Sequence, residues 1–324
     1  MYLAADIGGT KTLLALGDAQ GIAWQRRYDN DAYDGAAALL AAFLAEASRE
    51  TKLRPLRAAC LALAGPVGSN AREARLTNRA WIIDATALAS RLPLGSVSLL
   101  NDFAASAAGI ATLAADETVN LQPGQAEAGA LRLALGPGTG LGVAACLPQA
   151  GGPDRILASE GGHVGFAPAD PEQQGLLEFL RRRHGNARHV SVERIVSGNG
   201  LRDCHDYCVG SDPRTLGSLT PAEVSARALD ASDPQCVRAL DLFLAVFGAH
   251  AGDMALSFLA RGGVYLIGGI VPKILPRLVS GPFLAAFNDK AEHAALAAAM
   301  PVHAVLAEDM ALRGALAHAC ATRG

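Results

Sequence analysis

Lysine is scarce in this chain. Lys11, Lys52, Lys273 and Lys290 are the only four in 324 residues, and arginine carries the rest of the positive charge. Charged residues reach only 18% and the net charge is -3, with no basic stripe interleaved with aromatics. That removes the electrostatic footprint of a nucleic-acid binder. The densest basic run, Arg181-Arg182-Arg183, reads as a solvated helix face. No uncharged apolar run of about twenty residues occurs, so no membrane span is expected. Met1 is followed almost at once by Asp6, without the basic and apolar regions of a signal peptide, and a cytoplasmic protein is expected. Gly-Lys-Ser/Thr is missing, which excludes a P-loop. The glycines at 136, 138, 140 and 142 do not form G-x-G-x-x-G, which excludes the Rossmann fingerprint. The cysteines are six, mostly in apolar runs, and read as reduced core residues of a cytosolic protein. Cys204 and Cys208 flank His205 but lack a second ligand pair for a zinc site.

What is present is a globular composition, 51% hydrophobic, with length enough for two domains. Tyr2–Ile7, Thr12–Leu16 and a segment through Trp24 read as strands, separated by Gly8-Gly9-Thr10 and Asp18–Gly21 turns. A helix over 34–50 follows, with Asp34 as its N-cap. Arg57–Ala64, ended by Gly65-Pro66, and Val97–Leu100, ended by Asn101-Asp102, are further strands. Strands alternating with helices indicate an α/β class with a partly parallel sheet. A second glycine-turned hairpin spans 131–147, echoing the opening one. The remainder is mainly helical: 173–183, a capping box at Thr220–Glu223, a long apolar helix from Asp233-Pro234 to about Leu259, and a last helix over 308–321 that packs back on the first domain. Gly263–Gly269 reads as a buried strand entering a turn.

Five features carry chemistry. In Asp6-Ile-Gly-Gly-Thr-Lys11, Gly8 and Gly9 let backbone N–H groups approach phosphate oxygens, Thr10 and Lys11 reach the same oxygens, and Asp6 is placed to hold Mg²⁺ through water. A tight hairpin with a solvated Asp explains the same string. The Gly136–Gly142 turn, with Gly138, Thr139 and Gly140 at its centre, offers a second phosphate cradle or a purely structural bulge. Asn101-Asp102 lies at a strand's C-terminal edge, where α/β proteins place ligands. Asp102 is suited to accept a proton in phosphoryl transfer, or to cap the following helix, and Asn101 to bond a substrate. Glu160-Gly-Gly-His163, with Glu193 beyond it, can read neutral hydroxyls. Gly268-Gly269-Ile270 permits close approach of a flat base, or simply turns the chain. Two separate glycine turns indicate a nucleotide held between two domains.

Taken together and in this order, the features resemble the bacterial glucokinase family, within the hexokinase–actin-like ATPase group. The matching strings are Asp6-Ile-Gly-Gly-Thr10, Leu76-Thr-Asn-Arg-Ala-Trp81, Asn101-Asp-Phe103, Gly138-Thr-Gly-Leu-Gly-Val143, Glu160-Gly-Gly-His-Val164, Phe166-Ala-Pro168, Val190-Ser-Val-Glu-Arg194, Ser197-Gly198, Gly268-Gly-Ile-Val-Pro272 and Ala286-Phe-Asn-Asp-Lys290. The resemblance implies a two-domain, ribonuclease H-like fold: a small α/β domain over 1–105 plus 305–324, a large one over 106–304, and a cleft that closes over the sugar. It implies ATP and Mg²⁺ as cofactors and glucose as substrate. Asp102 is then the base on the 6-hydroxyl, and Asn101, Glu160, His163 and Glu193 are the sugar-reading set. The loops at 8–11 and 138–140 are the phosphate clamps, with Gly268–Val271 near the adenosine. A homodimer is implied as well.

Four positions depart from the family pattern. Lys11 stands where Asn is usual, Gly165 where Asp is common, Pro137 where a small residue is common, and Asp253 where an amide is usual. Lysine at the first position is frequent in the related repressor/open-reading-frame/kinase sugar kinases. The cysteine-rich zinc motif of that branch is missing here, because Val-Gly-Phe-Ala-Pro follows His163. A kinase for another hexose or an amino sugar, and a non-catalytic sugar sensor, are the alternatives. The sensor commonly carries a helix-turn-helix ahead of the sugar domain, for which a first strand at residue 2 leaves no room. An actin-like assembly ATPase does not need the Glu160–His163 segment.

Overall fold

The computed structural model describes residues 1–65, 67–68, 72–76, 79–150, 152 and 154–322. Pro66 of the Gly65-Pro66 turn, and Thr77 and Asn78 of the 76–81 string, lie outside the described residues. The strands are β1 (Tyr2–Ile7), β2 (Lys11–Asp18), β3 (Gly21–Asp29), β4 (Ala58–Leu63), β5 (Glu73–Arg75), β6 (Ile82–Asp84), β7 (Val97–Asn101), β8 (Thr118–Gln122), β9 (Arg132–Pro137), β10 (Leu141–Leu147), β11 (Arg155–Ser159), β12 (Val264–Leu266) and β13 (Val302–Val305). The helices are α1 (Ala36–Glu50), α2 (Ala85–Arg91), α3 (Asp102–Gly109), α4 (Pro171–Arg183), α5 (Gly198–Cys208), α6 (Pro221–Leu229), α7 (Pro234–Phe258), α8 (Leu275–Ser280), α9 (Phe283–Asn288), α10 (Ala294–Ala299) and α11 (Met310–Ala321). They form two compact units: Met1–Ala114 with Cys146–Ala158 and Asp309–Gly324, and Ala115–Ala145 with Ser159–Glu308.

The first unit is built on a sheet in the order β3-β2-β1-β4-β7. The opening meander is antiparallel, and β1, β4 and β7 run parallel. Side chains alternate across β1. Leu3, Ala5 and Ile7 face a large-residue core with Leu39, Leu40 and Phe43 of α1. Ala4 faces the other side, where Ala15, Cys60, Ala62 and Ala105 meet Leu312, Ala315 and Leu316 of α11. Small residues there bring two helices close to the sheet, and a Cβ on Gly314 would collide with the Ala105 carbonyl of α3. The last helix thus packs within the first unit, as expected. The N-cap of α1 is Gly35, not Asp34: Gly35 has extended φ, and no side chain caps the helix.

In the second unit, β9, β12 and β13 are parallel neighbours of the sheet ordered β11-β10-β9-β12-β13-β8. Gly136, Pro137, Leu141 and Gly142 are strand residues, so the glycine-rich turn contracts to Gly138-Thr139-Gly140. The Thr220 capping box is formed, and Asp233 caps α7 through Gln235 and Cys236 N–H groups. By length and composition α7 could cross a membrane, but 67% of its apolar window is buried in the protein. Its charges are paired: Arg238 with Glu172 at 2.6 Å, and Asp253 with Lys290 at 2.8 Å. Phe247 meets Phe283 of α9 at 5.2 Å between ring centroids, and Gly248 leaves room for the Phe283 backbone. Its apolar face therefore serves the core of the second unit.

The arginine run departs from expectation. Arg181 is half-exposed and pairs with Glu178, but the Arg183 side chain is only 5% exposed. Arg183 reaches Asp203 at 2.6 Å and Asp206 at 2.8 Å, and its guanidinium lies over Phe179. Carboxylates arriving from α5 give it a buried partner, which a solvated face does not offer.

Candidate active site

In the first unit, Asp6 lies in β1 and Asp102 directly follows β7, two parallel strands with β4 between them. Ile7 pairs with Leu63, and Leu63 with Asn101, so β1, β4 and β7 end together. Asp6 is half-buried at that edge. Burial, then the charge of Asp102, push its pKa from 3.8 to about 6, with Arg27 pulling the other way. Two carboxylates competing for one dry site favour a cation beside them. This fits the sequence-based placement of Mg²⁺ next to Asp6, since Mg²⁺ keeps most of its waters and needs few protein ligands.

Burial also raises the pKa of Asp102, partly offset by the Phe103 N–H. Asp102 is the first residue of α3, and the capping residue is Asn101. Asn101 Oδ1 accepts from the Phe103 and Ala104 N–H groups, and its Nδ2 donates to the Gly65 carbonyl at 3.3 Å. The capping role proposed for Asp102 therefore falls largely to its neighbour, which spends its amide on the backbone. Asp102 Oδ1 takes one bond from Phe103 N at 2.8 Å.

Gly8–Lys11 forms the turn between β1 and β2, closed by Gly8 N–H to the Lys11 carbonyl at 3.0 Å. Thr10 and Lys11 are exposed. Two residues outside the motif hold this turn. Asn30 Nδ2 donates to the Gly8 carbonyl at 2.8 Å, and Arg79 Nε to the Gly9 carbonyl at 3.0 Å.

In the second unit, His163 Nε2 lies 3.9 Å from Glu160 Oε2 and 3.8 Å from Glu193 Oε1. The trio forms because the segments after His163 and before Glu193 pair: Val192 N–H donates to Val164 O, and Phe166 N–H to Val190 O. Glu160 is 88% exposed at its side chain and Glu193 only 28%. Glu193 Oε2 accepts from Leu141 N–H at 2.9 Å, and a Cβ on Gly140 would collide with that carboxylate. Glu160, His163 and Glu193 and the 138–140 turn are therefore one piece of structure. Gly268, at φ 115°, closes the neighbouring strand end, where a Cβ would approach the Pro137 carbonyl. Gly269 is exposed with open space in front of it, and Ile270 is half-buried.

A 330 Å³ pocket opens beside this turn, lined by Thr139, Glu193, Arg194, Ser197, Asn199 and Arg202 among others. It lies at the start of α5, where Ser197 Oγ caps Gly200 N–H and Gly198 N–H donates to Gly138 O. A Ser cap followed by Gly-x-Gly at a helix start signals an anion site. The Ser197-Gly-Asn-Gly200 string that forms this helix start is local and readable in the sequence. Gly165 and Asp253, two of the departures, line one small cavity with His250. Burial lowers the His250 pKa to about 4. The only metal-like cluster among the described residues is His205, Asp233 and Cys236, rather than Cys204 and Cys208. His205 comes from α5, while Asp233 caps α7 and Cys236 lies in its first turn, where the positive end of the helix dipole disfavours a cation.

The family model described as Glucokinase matches residues 3–322. The chain belongs to the glucokinase family. The glucokinase of Synechocystis sp. is 36% identical over 97% of this chain and 96% of its own length. That of Chromohalobacter salexigens is 40% identical over 97% and 95%. A crystal structure of glucokinase from an Antarctic psychrotroph superposes with a TM-score of 0.85 at 29% identity, covering 98% of each chain. The fold is accordingly the α/β, actin-like ATPase fold of the sugar kinases.

Proposed function

We propose that this chain is an ATP-dependent glucokinase, transferring the γ-phosphoryl group of ATP to the 6-hydroxyl of D-glucose. Asp102 takes the hydroxyl proton. Its buried position raises its basicity, which suits a general base. Glu160, His163 and Glu193 bond the sugar hydroxyls, and Asn101 supports the strand end that carries Asp102. Gly9, Thr10, Thr139 and Gly140 offer backbone N–H groups, and Thr10 and Thr139 their hydroxyls, to the phosphates, while the Gly8 and Gly138 N–H groups close their own turns. Gly268–Ile270 borders the base. Asp6 would hold Mg²⁺ through water, and the ion would supply charge neutralisation on the phosphates.

The observation that carries this reading is Glu193. One carboxylate oxygen faces His163 of the sugar-reading trio, and the other binds the exit of the 138–140 turn. A group that reads the acceptor is thereby tied to a loop suited to the donor. The reading includes a homodimer, checked by sedimentation. It also includes a cytoplasmic location, in keeping with six cysteines that form no disulfide among the described residues. The test is ³¹P NMR of the product across a panel of hexoses and amino sugars. Glucose 6-phosphate formed faster than any other ester supports the reading. A faster reaction with another sugar reassigns the acceptor, and no ester from any sugar refutes the kinase.

A further inference from the structure

We propose that Asn30 and Arg79 are positioning residues that set the polarity of the Gly8–Lys11 loop for phosphate. The inference rests on the kinase reading and extends it to two residues outside the phosphate motif. A loop that binds an anion through its backbone must present N–H groups and keep its carbonyls away. Here each carbonyl of the turn is held by a donor of the protein. Gly8 O takes Asn30 Nδ2 at 2.8 Å, and Gly9 O takes Arg79 Nε at 3.0 Å. Thr10 O takes Asn30 N at 2.8 Å, and Lys11 O takes Gly8 N at 3.0 Å.

Both side chains are themselves fixed. Asn30 is fully buried, and its Oδ1 accepts from Thr12 Oγ1 at 2.7 Å. The Gly8 carbonyl can only accept, so it fixes the amide with Nδ2 toward Gly8 and leaves Oδ1 to the Thr12 hydroxyl. Arg79 uses its planar fork: Nη1 donates to Asn30 O at 3.2 Å, and Nη2 pairs with Asp31. Its guanidinium also stacks over Trp81, 4.9 Å from the ring centroid. A lysine has one ammonium and cannot reproduce three directed bonds and a stack. The positive charge alone is therefore not what the site requires.

The test uses the full chain with Arg79→Lys, Arg79→Met and Asn30→Asp. MgATP binding is measured by calorimetry, KM for ATP and for glucose by turnover, and folding by thermal melting. Arg79→Lys keeps the charge and is the mild variant. Asn30→Asp replaces the donor facing Gly8 O with an acceptor. We expect Arg79→Lys to melt within a few degrees of wild type and to weaken MgATP binding by about tenfold to a hundredfold. KM for glucose should stay within about twofold, a split that general loosening of the fold would not produce. Arg79→Lys binding MgATP as tightly as wild type overturns the inference, as does an equal rise in both KM values. Absence of sugar phosphorylation by wild type sinks the kinase reading, while the calorimetric comparison still decides the loop assignment.

Discussion

Asp6→Asn should stabilise the first unit at neutral pH. The native carboxylate has its pKa raised from 3.8 to about 6, first by burial and then by Asp102. Each pKa unit corresponds to about 1.4 kcal/mol, so ionising Asp6 costs the folded state up to about 3 kcal/mol at pH 7. The sign follows from proton counting. Below pH 3.8 both states hold the proton and there is no cost. Between 3.8 and about 6 the unfolded chain loses its proton while the folded one keeps it, so stability falls as pH rises. Above that window the whole cost remains. The amide is nearly the same shape and carries no charge. Urea unfolding can be followed by tryptophan fluorescence, because the only two tryptophans, Trp24 and Trp81, both lie in the first unit. The variant should gain up to about 3 kcal/mol over wild type at pH 7 and almost nothing at pH 4, while losing turnover. A variant no more stable than wild type at pH 7, or equally favoured at both pH values, would refute the reasoning.

Gly140→Ala should cut turnover by about a hundredfold or more, because its methyl group displaces the Glu193 carboxylate; steady-state kinetics at near-normal kinetics would remove that contact from the site. Arg183→Met should cost about 3–5 kcal/mol, since Asp203 and Asp206 are left buried without their cation. A denaturant midpoint unchanged from wild type contradicts it. Burial raises the pKa of Asp102, so the acid limb of kcat/KM for glucose should lie above the ordinary carboxylate range. A limb at or below pH 4, the usual carboxylate region, would argue against this group as the base.

Local rules made much of the fold legible. The meander, the Thr220 capping box and the Asp233 start of α7 each depend on residues a few positions apart. The features that escaped sequence reading depend on distant partners. Arg183 looked solvated because Asp203 and Asp206 lie 20 and 23 positions away. Asn30 and Arg79 serve a turn 22 and 70 positions distant. Asp102 is the cap that the sequence offers for α3, and only backbone geometry assigns that role to Asn101. The pocket at 197–202 had a local signal, but it adjoins Thr139 only through the bond from Gly198 to Gly138. Motif recognition supplied the candidate chemical groups, and tertiary packing supplied the residues that hold them in place.

The central claim is that Asp102 is the base of a glucose-dependent kinase. The most direct measurement is ATP consumption by the purified chain with Mg²⁺, with and without glucose, for wild type and Asp102→Asn. The account predicts turnover only with glucose, and a loss of about 10²-fold or more in a variant that stays folded. A variant that keeps more than about half of the wild-type turnover, or ATP consumption indifferent to glucose, would contradict it.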